Sequence, residues 1–334
     1  MYAGWTHPDD PPPAVIDVLF LTLPDSLLLD LAGPAEAFRL ANQQLHHARK
    51  PLAFRMRFVG PLAEVASSVG LSLSRIEAMP DELPPRCWVV VLGRPGNAPE
   101  VLRRARPWLA ARDWLARVVA PHLGEDTKLL TVCVGALLAA DAGLVGTRCV
   151  TTHHELLDEL AQLAPAAKVQ ANRVFVEDGP LLSSAGITAG IDLALHLITR
   201  ECGPAIASAV AQVMVAFTRR GPQDTQRSPL LAHRDHLHPA VHRVQDAVCA
   251  APGTDWTAQR LAAAAHVTPR HLARLFHAHV RLSPRAYVEH VRRGLAEHAR
   301  AGGASTADAA QLAGFESTRR LRQALNRQAS PPAG

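Results

Sequence analysis

One alternation constrains this chain more than anything else in it. Mostly apolar runs of strand length, AVIDVLFLTL from residue 14, FRMRFVG from 54, CWVVVLG from 87 and TKLLTVC from 127, are interleaved with helical patterns such as SLLLDLAGPAEAFRLANQQL, VLRRARPWLAARDWLARVVA and GALLAADAG. A strand that is apolar along its length, rather than at every second position, has both faces covered, and helices laid over a parallel sheet cover them. The alternation predicts a doubly wound α/β domain over residues 14–218. It continues into CVTT, a helix HHELLDELAQLA, a hairpin KVQANRVFVEDGPLLSS and two helices, ITAGIDLALHLITREC and PAIASAVAQVMVAF.

In such sheets ligands sit beyond the carboxyl ends of the strands. TVCVG marks one of those ends, where small residues let the chain turn sharply into GALLAADAG and expose the turn side chain, Cys133, at the top of the sheet. A thiol there faces a helix N-terminus, whose dipole and free N–H groups favour thiolate. Cys133 therefore reads as a nucleophile or as the floor of a pocket. Gly186 and the small residues opening ITAGIDLAL offer backbone N–H groups to an anionic ligand. The five cysteines, at 87, 133, 149, 202 and 249, form no CxxC pair, which argues against a disulfide framework and a zinc ribbon.

Charge divides the chain. From Arg219 onward 17 arginines and no lysine stand against 8 acids, a net of +9, whereas the preceding part carries 18 basic and 22 acidic residues, a net of −4. A basic C-terminal domain on an acidic larger one points to an anionic polymer as partner, nucleic acid above all. Residues 219–238, RRGPQDTQRSPLLAHRDHLH, are polar, proline-bearing and aperiodic, and read as a linker before a domain at 239–334. His233, His236, His238 and His242 follow no common zinc spacing, so no metal is expected there.

Within 239–334, WTAQRLAAAAHVTPRHLARLFHAHV contains an alanine-rich helix, a short turn at His266 and Val267, then Thr268 as N-cap and Pro269 at the first helical position. Leu272, Leu275 and Phe276 share one face; Arg270, His271, Arg274 and His277 share the other. This is the helix-turn-helix pattern, whose second helix enters the DNA major groove. It recurs in ADAAQLAGFESTRRLRQALNRQ, where Ser317, Leu321 and Leu325 lie 49 residues after Thr268, Leu272 and Phe276. Thr318, Arg319, Arg322 and Gln323 form the outer face of this second unit. Gly294 in the helix between the units costs about 1 kcal/mol relative to alanine.

LLLDLAGPAEAFRLAN, VCVGALLAADAGLVGTRCVTTHHELLDELA, SSAGITAGIDLALHLI and RRGPQDTQRSPLL, in that order, resemble the GlxA family of AraC-type transcription regulators. The N-terminal part of that family is a flavodoxin-like ThiJ/PfpI domain of the class I glutamine amidotransferase superfamily. The resemblance implies that Asp30 faces the elbow cysteine, that Gly93 lines an oxyanion hole, and that the Val134 N–H is its second donor. Hydrolases of the superfamily place a histidine after the cysteine and isonitrile hydratases a threonine; Val134 can neither take a proton nor orient water. Arg94 stands where many relatives carry a second glycine. His153 is the one nearby candidate base. In the second helix-turn-helix, Ala309 and Leu325 replace a larger aliphatic and a phenylalanine. The chain also ends at SPPAG without the family's aromatic and basic tail, so weaker binding is expected of that unit.

These readings converge on a sequence-specific regulator of transcription in the cytoplasm, a homodimer acting on double-stranded promoter DNA, with RNA polymerase as a further partner. Its N-terminal domain would sense a small nitrogenous metabolite, the effector class the resemblance implies, through a pocket formed by Asp30, Gly93, Cys133, Val134, His153 and Gly186. No catalytic residue, cofactor or membrane contact is expected. The alternative is an isonitrile hydratase or amidase-like enzyme carrying a DNA-binding domain.

Overall fold

The computed structural model describes residues 14–95, 103–186, 188–216, 220–222, 226, 233–234, 236, 238–301 and 303–326. Most of the anticipated linker, the start of the VLRRARPWL helix and the SPPAG tail lie outside the described residues. The chain divides into two compact units, 1–222 and 223–334.

In the first unit, β1 (Ala14–Leu21) leads through α1 (Leu28–His47) to β2 (Leu52–Gly60), a small β3–β4 hairpin (Glu64–Ala66 and Ser72–Ser74) and β5 (Glu77–Ala78). Then follow β6 (Cys87–Val91), α2 (Arg106–Trp114), β7 (Thr127–Val132), α3 (Gly135–Asp141), β8 (Cys149–Val150), α4 (Leu157–Leu163) and β9 (Lys168–Val169). The unit closes with β10 (Phe175–Asp178), β11 (Leu181–Ser184), α5 (Ala189–Cys202) and α6 (Pro204–Val213). Seven strands form one sheet in the order β10-β11-β7-β6-β1-β2-β5, parallel throughout except for the β10–β11 hairpin. The unbroken apolar runs have the burial they require, since every residue of β6 and of β7 is buried. The one charge inside β1, Asp17, takes both forks of Arg55 on the neighbouring strand at 2.6 and 2.7 Å. Strand order reverses between β1 and β6, and the carboxyl ends of β1, β6 and β7 lie side by side there.

Three local expectations change. The hairpin shrinks to Phe175–Ser184, because Asn172 takes φ +54° and turns the chain, and Lys168–Val169 pairs with Cys149–Val150 in a separate parallel ladder. Helix α4 starts at Leu157 rather than His153, since the His153 carbonyl accepts the Leu156 N–H in a turn. The β3–β4 hairpin was not expected; Gly70 at φ +80° and the Ser67 hydroxyl, accepting the Leu71 N–H, make its turn.

The second unit is helical: α7 (Pro239–Ala250), α8 (Ala258–Ala265), α9 (Pro269–His279), α10 (Pro284–Ala301), α11 (Thr306–Leu312) and α12 (Thr318–Asn326). α10 serves two cores. Its first half sends Tyr287, Val288 and Val291 into a cluster with Val241, Val244, Val248, Leu261, Leu272 and Phe276, and its second half sends Ala296 into another with Ala309, Ala310, Ala313 and Leu321. The helix runs unbroken through Gly294. Among the described residues no helix is long and apolar enough to cross a membrane.

Candidate functional site

The ends of β1, β6 and β7 deliver three of the expected pocket residues to one place. Asp30, fully buried, lies in the first turn of α1, where the helix dipole favours a carboxylate. Its Oδ2 accepts the Gly93 N–H at 3.1 Å. A Cβ on Gly93 would stand 2.4 Å from that oxygen and 2.7 Å from the Cys133 Cβ, so only glycine lets the three residues meet. Cys133 has φ +53°, the strained elbow conformation, and the turn closes because Gly135 packs against the Val91 carbonyl, which a Cβ would approach to 2.2 Å. From the other side comes Gly186 at φ +129°, whose Cβ would be 3.1 Å from the cysteine sulfur.

The main chain of the elbow is held independently of any chemistry. The Cys133 N–H donates to the Ser184 carbonyl at 3.0 Å, and the Thr152 hydroxyl donates to the Cys133 carbonyl at 2.7 Å. Thr152 and Ser184 lie inside the motifs VCVGALLAADAGLVGTRCVTTHHELLDELA and SSAGITAGIDLALHLI but were not singled out, because nothing in those runs says that the Thr152 hydroxyl and the Ser184 carbonyl reach the elbow.

The electrostatics reverse the expectation of a thiolate. Burial, and then the charge of Asp30, push the Cys133 thiol up to about 12, against the smaller opposing effect of a hydrogen bond from the Val134 N–H. A helix N-terminus lowers a thiol only where burial and a neighbouring carboxylate do not outweigh it. Glu155, also overlooked, raises the thiol further. The two expected oxyanion donors are engaged already, Gly93 by Asp30 and Val134 by the sulfur. His153 is half-buried, its Nδ1 3.5 Å from Glu155 and its ring 4.2 Å from that of His154. Arg94 turns toward Asp25, at 3.4 Å, with its guanidinium buried.

In the second unit the caps set the helices. Thr257 accepts the Arg260 N–H and Thr268 the His271 N–H; Ser305 and Ser317 do the same for Asp308 and Arg320. The first turn passes through His266 at φ +56° and the second through Gly314 at φ +74°. Thr257 to Ser305 and His266 to Gly314 are separated by 48 residues, but Thr268 to Ser317 by 49, so the second turn is one residue longer. Arg270 and Arg274 are exposed on α9, with His271 half-buried and accepting from Arg274 at 3.0 Å. On α12, Arg319, Arg322 and Gln323 are exposed and Thr318 is half-buried. The 49-residue register aligns His271 with Arg320, an exposed residue absent from the sequence expectation although the register itself points to it. The linker-side histidines form ring contacts, His236 on His242 at 4.6 Å and His238 on His279 at 4.8 Å, and among the described residues no group of three potential ligands is arranged to hold a metal.

A family model for a helix-turn-helix domain matches residues 261–331. The HTH-type transcriptional regulator GbdR of Pseudomonas aeruginosa is 29% identical over 286 residues, 86% of this chain and 73% of its own length. The HTH-type transcriptional regulator GlxA of Rhizobium meliloti is 30% identical over 145 residues, 43% of this chain and 44% of its own. An isonitrile hydratase of Pseudomonas putida is 28% identical over 214 residues, 63% of this chain and 82% of the enzyme.

Proposed function

We propose that this chain, a DNA-binding transcription regulator of the GlxA family with an AraC-type helix-turn-helix region behind a ThiJ/PfpI-like α/β domain, uses the Cys133 elbow to bind a small effector without transforming it. One observation carries this reading: the Gly93 N–H that an oxyanion would need is given to Asp30, beside a thiol held up to about 12. A protonated sulfur is a poor nucleophile, and a donor already bonded to a carboxylate stabilises no developing charge. Asp30 supplies the pocket's buried negative charge, which favours a cationic, nitrogen-bearing ligand. On the DNA side, Arg270, His271 and Arg274 of α9 and Thr318, Arg319, Arg322 and Gln323 of α12 are the groups we assign to the major groove. The same reading has the chain working as a cytoplasmic homodimer that meets RNA polymerase at the promoter.

Small nitrogenous metabolites screened by thermal shift against wild type, Cys133→Ala and Asp30→Asn test the pocket. Expected are hits that survive Cys133→Ala with modest loss, weaken further in Asp30→Asn, and yield no product. The second reading, an isonitrile hydratase or amidase, is favoured by the retained elbow backbone of Cys133. A hit consumed by wild type but not by Cys133→Ala would establish it.

A further inference from the structure

We propose that Arg220 is a latch, fastening the start of the interdomain segment to the first turn of α5 so that the state of the elbow is passed to the chain leading toward the DNA-binding unit. The proposal rests on the reading of the elbow as a sensor.

One carboxylate holds both the main chain and the side chain of Arg220. The Arg220 N–H donates to Asp192 Oδ1 at 3.1 Å, its Nε to Oδ2 at 2.8 Å, and its Nη2 lies 2.6 Å from Oδ2. Nη2 also donates to the Thr188 hydroxyl at 2.7 Å. The Asp192 side chain is 8% exposed and that of Arg220 31%, so the contact is a charge-assisted clamp with one side out of water. Because a backbone amide takes part, the clamp fixes the path of the chain as well as a side-chain rotamer.

The opposite side of that same turn is wedged against the pocket. Thr188 stands two residues beyond Gly186, on which a Cβ would lie 3.1 Å from the Cys133 sulfur, and the Gly186 carbonyl accepts the Ala189 N–H at 2.7 Å. A Cβ on Gly190 would lie 3.2 Å from Val132, the residue before the elbow. A Cβ on Gly33, three residues beyond Asp30 on α1, would lie 2.7 Å from Ile191. Gly186 and residues 188–192 therefore have the cysteine and the Asp30 helix on one side and Arg220 on the other. A packed turn of this kind moves as a piece, since close packing leaves no slack to absorb a shift at one end. A ligand that displaces Gly186 or draws on Asp30 shifts the turn, and the Asp192 clamp loosens or tightens with it.

The test needs no effector. In the full-length protein, hydrogen exchange is followed at the Arg220 amide, the group bonded to Asp192. Asp192→Asn and Arg220→Gln should each speed its exchange about tenfold, with Arg220→Lys intermediate because it keeps a cation to pair with the Asp192 carboxylate. Gly186→Ala, which crowds the Cys133 sulfur, should speed the same amide in wild type and add nothing in the Asp192→Asn background. Gly70→Ala, an equivalent change with no neighbouring atoms within 4 Å, should leave it unchanged. Cys133→Ser replaces Gly186→Ala if the latter does not fold. An Arg220 amide indifferent to the elbow substitutions, or elbow and latch effects that simply multiply, would overturn the latch. A failed effector screen leaves this result standing, and a failed latch leaves the pocket's ligand to be decided by the screen.

Discussion

The two helix-turn-helix units have the same frame and unlike interiors. Each begins its first helix on a hydroxyl cap, Thr257 or Ser305, and its second on another, Thr268 or Ser317. Inside the first unit lie Leu261, Leu272, Phe276, Tyr287 and several valines, with the Phe276 and Tyr287 rings edge to face at 5.7 Å. Inside the second lie four alanines, 296, 309, 310 and 313, and one large buried side chain, Leu321. Caps decide where helices start; the volume of apolar side chain decides how firmly they stay. Each buried methylene is worth about 0.8 kcal/mol, so a core with Ala309 where the other unit has Leu261, and Leu325 where it has Phe276, has a few kcal/mol less to draw on.

Core truncation has the largest expected effect. Phe276→Ala should destabilise the first unit by about 3–5 kcal/mol in chemical denaturation. In the wild type, amides of α11 and α12 should exchange with solvent ahead of those of α8 and α9. Equal protection of the two pairs would break the comparison. DNA reading comes next. Arg270→Ala or Arg274→Ala should relax base preference by about 1–3 kcal/mol at particular positions, and Arg319→Ala or Arg322→Ala by less, as measured on mismatched operator sets. The opposite ranking would mean that the alanine-cored unit reads more of the site than its neighbour. The smallest effect concerns the turns. His266 is held at φ +56° where the second unit uses glycine, so His266→Gly should raise stability by about 0.5 kcal/mol in thermal denaturation, the relief of left-handed strain slightly exceeding the entropy cost of glycine. A loss instead would show that the imidazole contributes more than its backbone strain removes.

The sheet, the elbow and the duplicated helical pair were legible because each has a local signature: unbroken apolar runs, a small-residue turn, a repeated spacing. The direction of the Cys133 titration was not: the resemblance had already implied Asp30 facing Cys133, but the burial that raises the thiol most, and the nearness of Glu155, are properties of the assembled fold and leave no mark around TVCVG. Thr152 and Ser184 were overlooked for the same reason, as supports of the elbow main chain supplied by the loop after β8 and by the end of β11. Arg320 was legible and overlooked. Periodicity selected Arg322 as an outward position, whereas the 49-residue register pairs Arg322 with Ala273 and Arg320 with His271. Lys168–Val169 misled because a two-residue strand does not say which partner it will take.

That register has a consequence for the DNA. Carried across by 49 residues, the outward series Arg270, His271, Arg274, His277 becomes Arg319, Arg320, Gln323, Asn326, reached through a turn one residue longer. An arginine fork matches guanine, while the amides of glutamine and asparagine match adenine. On the proposed docking of α9 and α12 in the major groove, two segments that share one repeated pattern no longer spell the same word. The promoter element that suits the protein is then two dissimilar blocks, each with guanine under its pair of arginines and only the one under α12 also drawing adenine to Gln323 and Asn326, so a tandem repeat of either block would be a poorer target than the mixed pair.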